Sequence, residues 1–310
     1  MQILAPPTHR GGSLKAAQDA PLVQAVLQTV AYADVFDYPL TADEVHRYLI
    51  GHTASRGTVR GILSNGQLVP SLLSRQGRYF TLCGREAAVD TRRQRAAVSA
   101  ELWRRAVRYG RLLGNLPFVR MVAVTGALAM DNVADGDIDY LIVTEPGRLW
   151  LCRALVVAVV RLASRRGVTL CPNYFLSERV LELEERNLFT AHEVAQMVPI
   201  LGLERYEQFR LLNRWTDAFL PNASGTPRRL AASGLKRGLR WLELPLRSRL
   251  AGPLERWEMS RKITKLSSHS AEHAEAAFDV DWCKGHFGDH GQSTLRQFEE
   301  RMRALEAQLA

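Results

Sequence analysis

The sequence predicts an α+β fold, and three observations carry that prediction. Helical periodicities followed by a hairpin pattern occupy residues 21–85. β-Branched apolar runs interleaved with one helix occupy residues 118–180. Beyond them the pattern is helical almost to the end. A chain of 310 residues with 46% hydrophobic composition can bury two or three compact units. The expected division is a flexible arm over 1–20, a helix-and-hairpin module over 21–85 and a connecting helix over 86–117. An α/β core with a small mixed sheet then covers 118–222, and a basic helical C-terminal region covers 223–310.

The arm is rich in Pro, Gly and small residues. A first helix starts near Pro21, with Leu22, Val23, Val26, Leu27 and Val30 on one side, and ends before Pro39. Thr41-Ala-Asp-Glu44 is a capping box that opens a second helix, closed near Gly51. A third, short helix runs from Thr58 to Asn65-Gly66. Leu72-Leu73-Ser74, a turn at Gln76-Gly77 and Arg78 to Leu82 make a hairpin. Three helices followed by a hairpin read as a winged helix. In DNA-binding examples the third helix reads bases and the wing touches phosphate. Here only Arg56, Arg60, Arg75 and Arg78 are on offer, so packing or protein recruitment competes with DNA binding.

An Arg-rich helix from Glu86 to Leu113 stops at Gly114-Asn-Leu-Pro117. Val119 to Thr125 and Ile138 to Val143 read as buried strands, and residues 148–164 as a helix. Val168 to Leu176 reads as a third strand in which Pro172 implies a bulge or an edge. Thr190-Ala-His-Glu193 is a second capping-box pattern, and Pro221 to Pro227 a linker.

The net charge is +9, and the segment from Arg228 to Lys265 holds eleven basic residues against three acidic ones. Such a patch suits nucleic acid, a nucleotide triphosphate or an acidic partner, or is a solvated helical face. Trp241 and Trp257 within it either stack bases or anchor helices. The four cysteines are far apart and form no CxxC, which fits a reducing cytoplasm. Cys283, His286 and His290 are spaced as zinc ligands are, without a second paired cysteine, and His269 and His273 lie four apart. The first residues lack a secretory pattern. The most apolar stretch, Leu149 to Leu162, contains two arginines and is too short for a bilayer, so no membrane association is expected.

The chemistry concentrates between residues 125 and 139. Gly126 follows a strand and opens a helical turn, where backbone N–H groups can approach a phosphate. Eleven residues on, Asp137-Ile-Asp139 sits at a strand start. Residues i and i+2 of a strand face one way, so both carboxylates share a side and Ile138 and Tyr140 the other. Paired carboxylates repel unless a cation lies between them. Such oxygen sites suit Mg²⁺, or Mn²⁺, completed by substrate phosphates and water.

The run from Val122 through Thr125-Gly-Ala127 to Asp135-Gly-Asp-Ile-Asp-Tyr-Leu-Ile-Val143 resembles the DNA polymerase β-like nucleotidyltransferase superfamily. The winged helix and helical C-terminus resemble bacterial members with added domains. The resemblance implies transfer of a nucleoside monophosphate from an NTP, by default ATP, with release of pyrophosphate. It implies that Gly126 and Ala127 cradle the triphosphate and that Asp137 and Asp139 hold the metal. Ala127 stands where the family usually has Ser. Asn173 is the polar residue of the third strand, where active members usually carry a third carboxylate. Asn can ligate a metal but takes no proton at neutral pH. The acceptor is then an already anionic group or an amine on a small molecule or protein, rather than nucleic acid, or the domain is catalytically impaired and binds nucleotide for regulation. Arg148, just past the second strand, is a candidate triphosphate donor. Asp131, Asp135 and Glu178 are candidates to replace the missing acid.

Overall fold

The computed structural model describes residues 11–228, 230, 241, 243–247, 251–270, 277–284 and 290–309. It is an α+β fold that divides into two compact units. The first comprises 1–89, 220–223 and 300–310; the second comprises 90–219 and 224–299.

In the first unit α1 (Gly11–Asp34) begins well before Pro21. Most of the expected arm that can be described is therefore helical. Leu14-Lys-Ala-Ala-Gln18 are strong helix formers and outweigh the Gly pair that precedes them. There follow β1 (Leu40–Thr41), α2 (Ala42–Arg47), α3 (Arg56–Ser64), β2 (Leu73–Gln76) and β3 (Tyr79–Leu82). The capping box at Thr41 forms as read: the Glu44 N–H donates to Thr41 Oγ1, and the Thr41 N–H donates to Glu44 Oε2 at 2.8 Å. Ser55 caps α3 two residues earlier than the periodicity implied. The strands pair antiparallel in the order β1-β3-β2 around a core of Val26, Val30, Leu40, Val45, Ile62 and Leu73. Asn222, read as linker, belongs to this unit; its amide donates to the His46 carbonyl and accepts from the Ala54 N–H. The buried Asp34 carboxylate holds both Arg85 and Arg301.

The second unit is built on six strands in the order β7-β4-β5-β6-β9-β8. Its elements begin with α4 (Ala88–Gly114), β4 (Val119–Val124), the single turn α5 (Gly126–Ala129), β5 (Ile138–Thr144), α6 (Leu149–Ser164) and β6 (Leu170–Ser177). They continue with α7 (Leu188–Gln196), β7 (Val198–Leu201), α8 (Leu203–Leu212) and a 3₁₀ turn (Arg214–Ala218). The set closes with α9 (Glu243–Leu246), α10 (Ala251–Ser270), β8 (Ala277–Phe278), β9 (Trp282–Lys284) and α11 (His290–Leu309), whose last residues fall in the first unit. The sheet is mixed: β5 and β6 run parallel, and β5 pairs antiparallel with β4.

Two expected boundaries change. The connecting helix is no separate element, because Leu102, Trp103, Ala106 and Leu113 of α4 lie in the core under the sheet. The C-terminal region is not helical throughout: β9 pairs with β6 and extends the sheet. Its charge is also partly consumed inside the unit. Glu243 accepts from the Phe118 N–H and from Arg120, and Arg247 pairs with Glu145.

Strand alternation divides the core in two. Val122, Val124, Ile138, Tyr140 and Ile142 pack with α4 and α6, while Met121, Ala123, Leu141 and Val143 pack with α7 and α8. The second face is the one the acids share by alternation. Gly202 enables the turn into α8. It has φ +79°, and a Cβ there would lie 2.2 Å from the Arg120 carbonyl oxygen, so only glycine lets this turn close onto β4. Among the described residues no helix is long and apolar enough to cross a membrane, and the four cysteines are free thiols.

His192 of α7 is 5% exposed, and burial pushes its imidazole down to about 4. Unfolded, it titrates near 6.5. Between those values the unfolded chain binds the extra proton, so this residue's contribution to stability falls as pH falls from 6.5 to 4. The full loss is on the order of 3 kcal/mol. Denaturant titrations at pH 7 and pH 4.5 should show a smaller pH-linked loss in His192→Gln than in wild type. Equal losses would place the acid sensitivity elsewhere.

Candidate functional site

The end of β4 and the start of β5 build the site. Their ladder continues one step past β4, where the Thr125 N–H donates to the Asp139 carbonyl at 3.1 Å. The chain then turns at Gly126, with φ +62°, into α5. A Cβ on Gly126 would lie 2.5 Å from Asp139 Oδ2. The dihedral favours glycine here, and any side chain at this position would also displace the Asp139 carboxylate. The two motifs read from the sequence form one place.

Asp137 and Asp139 sit together at that end of the sheet. Burial raises the Asp139 carboxyl to about 6, the Asn173 hydrogen bond and the charge of His290 oppose the rise, and the neighbouring Asp137 adds to it. Asn173 Nδ2 lies 2.5 Å from Asp139 Oδ1. Its position follows from Pro172. In the β5–β6 ladder Tyr140 pairs with Pro172 and Leu141 with Tyr174, so Asn173 is an extra residue in a bulge. Pro lacks the N–H that a regular ladder needs, and the bulge re-aims Asn173 toward the acids. β6 lies between β5 and β9, so the strand is bulged rather than at an edge.

Two further residues reach the site. Cys171, the ladder partner of Asp139, has its thiol 3.8 Å from Asp137 Oδ2. Burial, then the two aspartates, push that thiol up to about 11, so it stays protonated. The other is Glu193, which the sequence assigned to a helix cap. The cap of α7 is instead Asn187, whose side chain accepts from the Thr190 N–H at 2.8 Å. Glu193 therefore lies inside α7, which packs against α5 on the Asp139 side of the sheet. Burial, then the charge of Asp139, raise Glu193 to about 7. No local pattern flags it; only the packing of α7 against α5 brings it in.

The remaining candidates fall elsewhere. Arg148 follows the far end of β5, and from Asp139 to Thr144 alone the strand spans roughly 17 Å. It donates to the Gly147 carbonyl at 2.7 Å and lies over the Phe118 ring. The first N–H groups of α6 beside it are taken by Glu255, at 2.7 Å from Trp150 N and 2.9 Å from Leu151 N. Arg148 is thus not part of this site. Glu178 is also at the far end, paired with Arg205. Asp131 is held by Trp103 and Arg228, and Asp135 is exposed in the loop. Ala127 is in α5 beside Gly126 and offers no hydroxyl.

Most of the residues with zinc-like spacing lie outside the described residues. Cys283 is buried in β9 against Phe175, His286 and His273 lie outside the described residues, and so does the side chain of His269. Among the described residues no three His, Cys, Asp or Glu form a metal-holding group. The Asp137 and Asp139 pair suits a different kind of ion. Mg²⁺ is commonly held through one or two carboxylates, with phosphate and water completing its shell. Two adjacent, partly buried carboxylates, one already pushed toward protonation, fit that donor set, and an Asn carbonyl can add to it. In the basic segment Arg228, Arg247 and Arg261 each pair with an acid, while Trp241 and Trp257 are 65% and 59% exposed rather than anchoring helices.

A matched pair of glycines tests the contact at the turn. Gly126 and Gly136 both have positive φ, but a Cβ at Gly136 meets nothing within 4 Å. Gly136→Ala should cost about 1–2 kcal/mol of stability, the dihedral penalty alone. Gly126→Ala should cost clearly more in the same denaturant titration. Equal costs would mean that the approach of Asp139 is not a constraint. No protein-family model, curated protein or solved structure matches this chain.

Proposed function

We propose that the chain is a metal-dependent nucleotidyltransferase, of the DNA polymerase β-like kind that its motifs resemble. It moves a nucleoside monophosphate from an NTP, by default ATP, to an acceptor and releases pyrophosphate. The observation that carries this reading is the Gly126 turn lying against Asp139, with Asp137 and Asn173 alongside. A backbone donor for phosphate and an oxygen site for a cation are thereby adjacent.

In this reading Asp137 and Asp139 hold Mg²⁺ or Mn²⁺, which when bound neutralises phosphate charge and polarises the phosphoryl group. Gly126 offers its N–H to a phosphate oxygen. Asn173 holds Asp139 by hydrogen bond and cannot take a proton. The acceptor atom bonds to the α-phosphorus, the α–β bridging bond breaks, and pyrophosphate leaves with the electron pair. Without a strong base, the reading favours an acceptor that is already anionic or is an amine, on a small molecule or a protein. The local pairing of Arg228, Arg247 and Arg261 in the basic segment also argues against a nucleic-acid strand as acceptor.

The order α1-β1-α2-α3-β2-β3, with sheet order β1-β3-β2, supports a winged helix in the first unit. Arg60 pairs with Asp43, Arg75 donates to the Gly77 carbonyl and Arg78 to the Tyr79 hydroxyl. These arginines are engaged locally, which favours a protein contact over DNA. A second reading is a nucleotide-binding regulator with this unit as its output. It draws on one observation, the Asn173 amide on Asp139, a group that cannot take a proton from an acceptor.

Pyrophosphate release from each NTP with Mg²⁺ or Mn²⁺, across carboxylate, phosphate, amine and hydroxyl acceptors, tests the enzyme reading. Wild type should turn over at least one combination, and Asp137→Asn/Asp139→Asn should lose about 10²-fold or more. Equal signals from the two proteins would end it.

A further inference from the structure

We propose that the outward face of α10 seats the chain on an anionic lipid surface. Leu254 and Trp257 enter the headgroup region, and the arginines beside them meet the negative headgroups. The inference stands apart from the nucleotide reading and requires no spanning helix.

Helix α10 shows two different faces. Ala251, Glu255 and Glu258 are buried, and Met259 and Ile263 pack on the core on the side where α10 meets α6. Leu254, Trp257 and Arg261 are spaced i, i+3 and i+7, so they form one stripe away from those residues, and all three are exposed. The Arg261 guanidinium lies 5.2 Å from the Trp257 ring centroid, which joins a cation to the aromatic surface. Arg256 of the same helix is exposed as well. Just ahead in the chain, Trp241 and Leu244 add further exposed apolar surface, and Leu244 is 79% exposed.

Charge is sorted in the same way. The segment from Arg228 to Lys265 has eleven basic residues against three acidic ones, and all three acids are buried. Glu243 accepts from the Phe118 N–H and Arg120, Glu255 from the Trp150 and Leu151 N–H groups, and Glu258 from Arg261. Arg247 and Arg261 reach back to acids but stay half-exposed. The segment thus turns its acids inward and shows water arginines, tryptophans and leucines. That is the pattern of an interfacial helix: Trp and Leu gain by leaving water, and Arg gains by meeting anionic headgroups while its stem lies along the apolar surface. A nucleic acid would use the tryptophans for stacking but gives Leu244 and Leu254 no comparable partner. A protein partner needs a matching shape, whereas the stripe is the convex side of one helix, to which a fluid lipid surface conforms.

The test is flotation of the full chain with vesicles of phosphatidylcholine alone, or of phosphatidylcholine mixed with phosphatidylserine, at low and high salt. Wild type should float with the mixed vesicles, lose most of that binding at high salt, and stay in solution with phosphatidylcholine alone. Leu254→Ser/Trp257→Ser should bind the mixed vesicles about tenfold more weakly or worse, and Arg256→Glu should shift the same way. Thermal melts verify folding, and if the double variant does not fold, Arg256→Glu decides. Wild type that stays in solution with both vesicles, or floats equally with both, overturns the proposal. So does a folded variant that floats as well as wild type. Labelled polyglutamate and a single-stranded oligonucleotide are run alongside. Binding of either without vesicle binding gives the face to an acidic protein or to nucleic acid, and overturns the lipid assignment.

Discussion

The contact between the Gly126 turn and the Asp139 carboxylate constrains everything around it. The turn has φ +62° and leaves no room for a side chain, because Asp139 Oδ2 occupies the space where a Cβ would go. The Thr125 N–H on the Asp139 carbonyl fixes the backbone spacing at the same point. Two short stretches, eleven residues apart, are thereby locked into one geometry. The Gly126 turn and the Asp139 carboxylate become neighbours as a consequence of β-ladder register rather than of loop conformation.

The sheet supplies the rest. Its α4 and α6 face is apolar throughout, including Ile138 and Tyr140, and the Tyr140 hydroxyl donates to the Ala106 carbonyl at 2.8 Å. Because that face absorbs the large side chains, the alternate positions of β5 are free to carry acids at one end and Leu141 and Val143 at the other. Helix α7 covers this second face and brings Glu193 to the acids. The bulge after Pro172 brings Asn173 from the third direction. Burial raises Asp139 and Glu193 alike, as expected for carboxylates held close in a poorly solvated place.

Gly126, Asp137 and Asp139 were legible in the sequence because strand periodicity and glycine's conformational role are local rules. Asn173 was legible as the polar residue of its strand, and Pro172 foretold the bulge that aims it. Arg148 was misplaced for lack of a strand direction, since a residue just after β5 is a whole strand length from residues at its start. Glu193 was hidden by a better local explanation: Thr190 to Glu193 has the spacing of a capping box, yet Asn187 captures the cap. The strand β9 in the C-terminal region was missed because three residues leave too short a pattern, and its pairing partner lies far off in sequence. In each miss the deciding interaction was long-range, and propensity or spacing alone could not supply it.

The central claim is that Asp137 and Asp139 together hold a divalent cation that nucleotide completes. Electron paramagnetic resonance of Mn²⁺ titrated into the full chain, with and without ATP, measures this directly and needs no knowledge of the acceptor. The account predicts protein-bound Mn²⁺ in wild type, bound more tightly when ATP is present, and loss of that signal in Asp139→Asn. Equal Mn²⁺ binding by wild type and Asp139→Asn would contradict it.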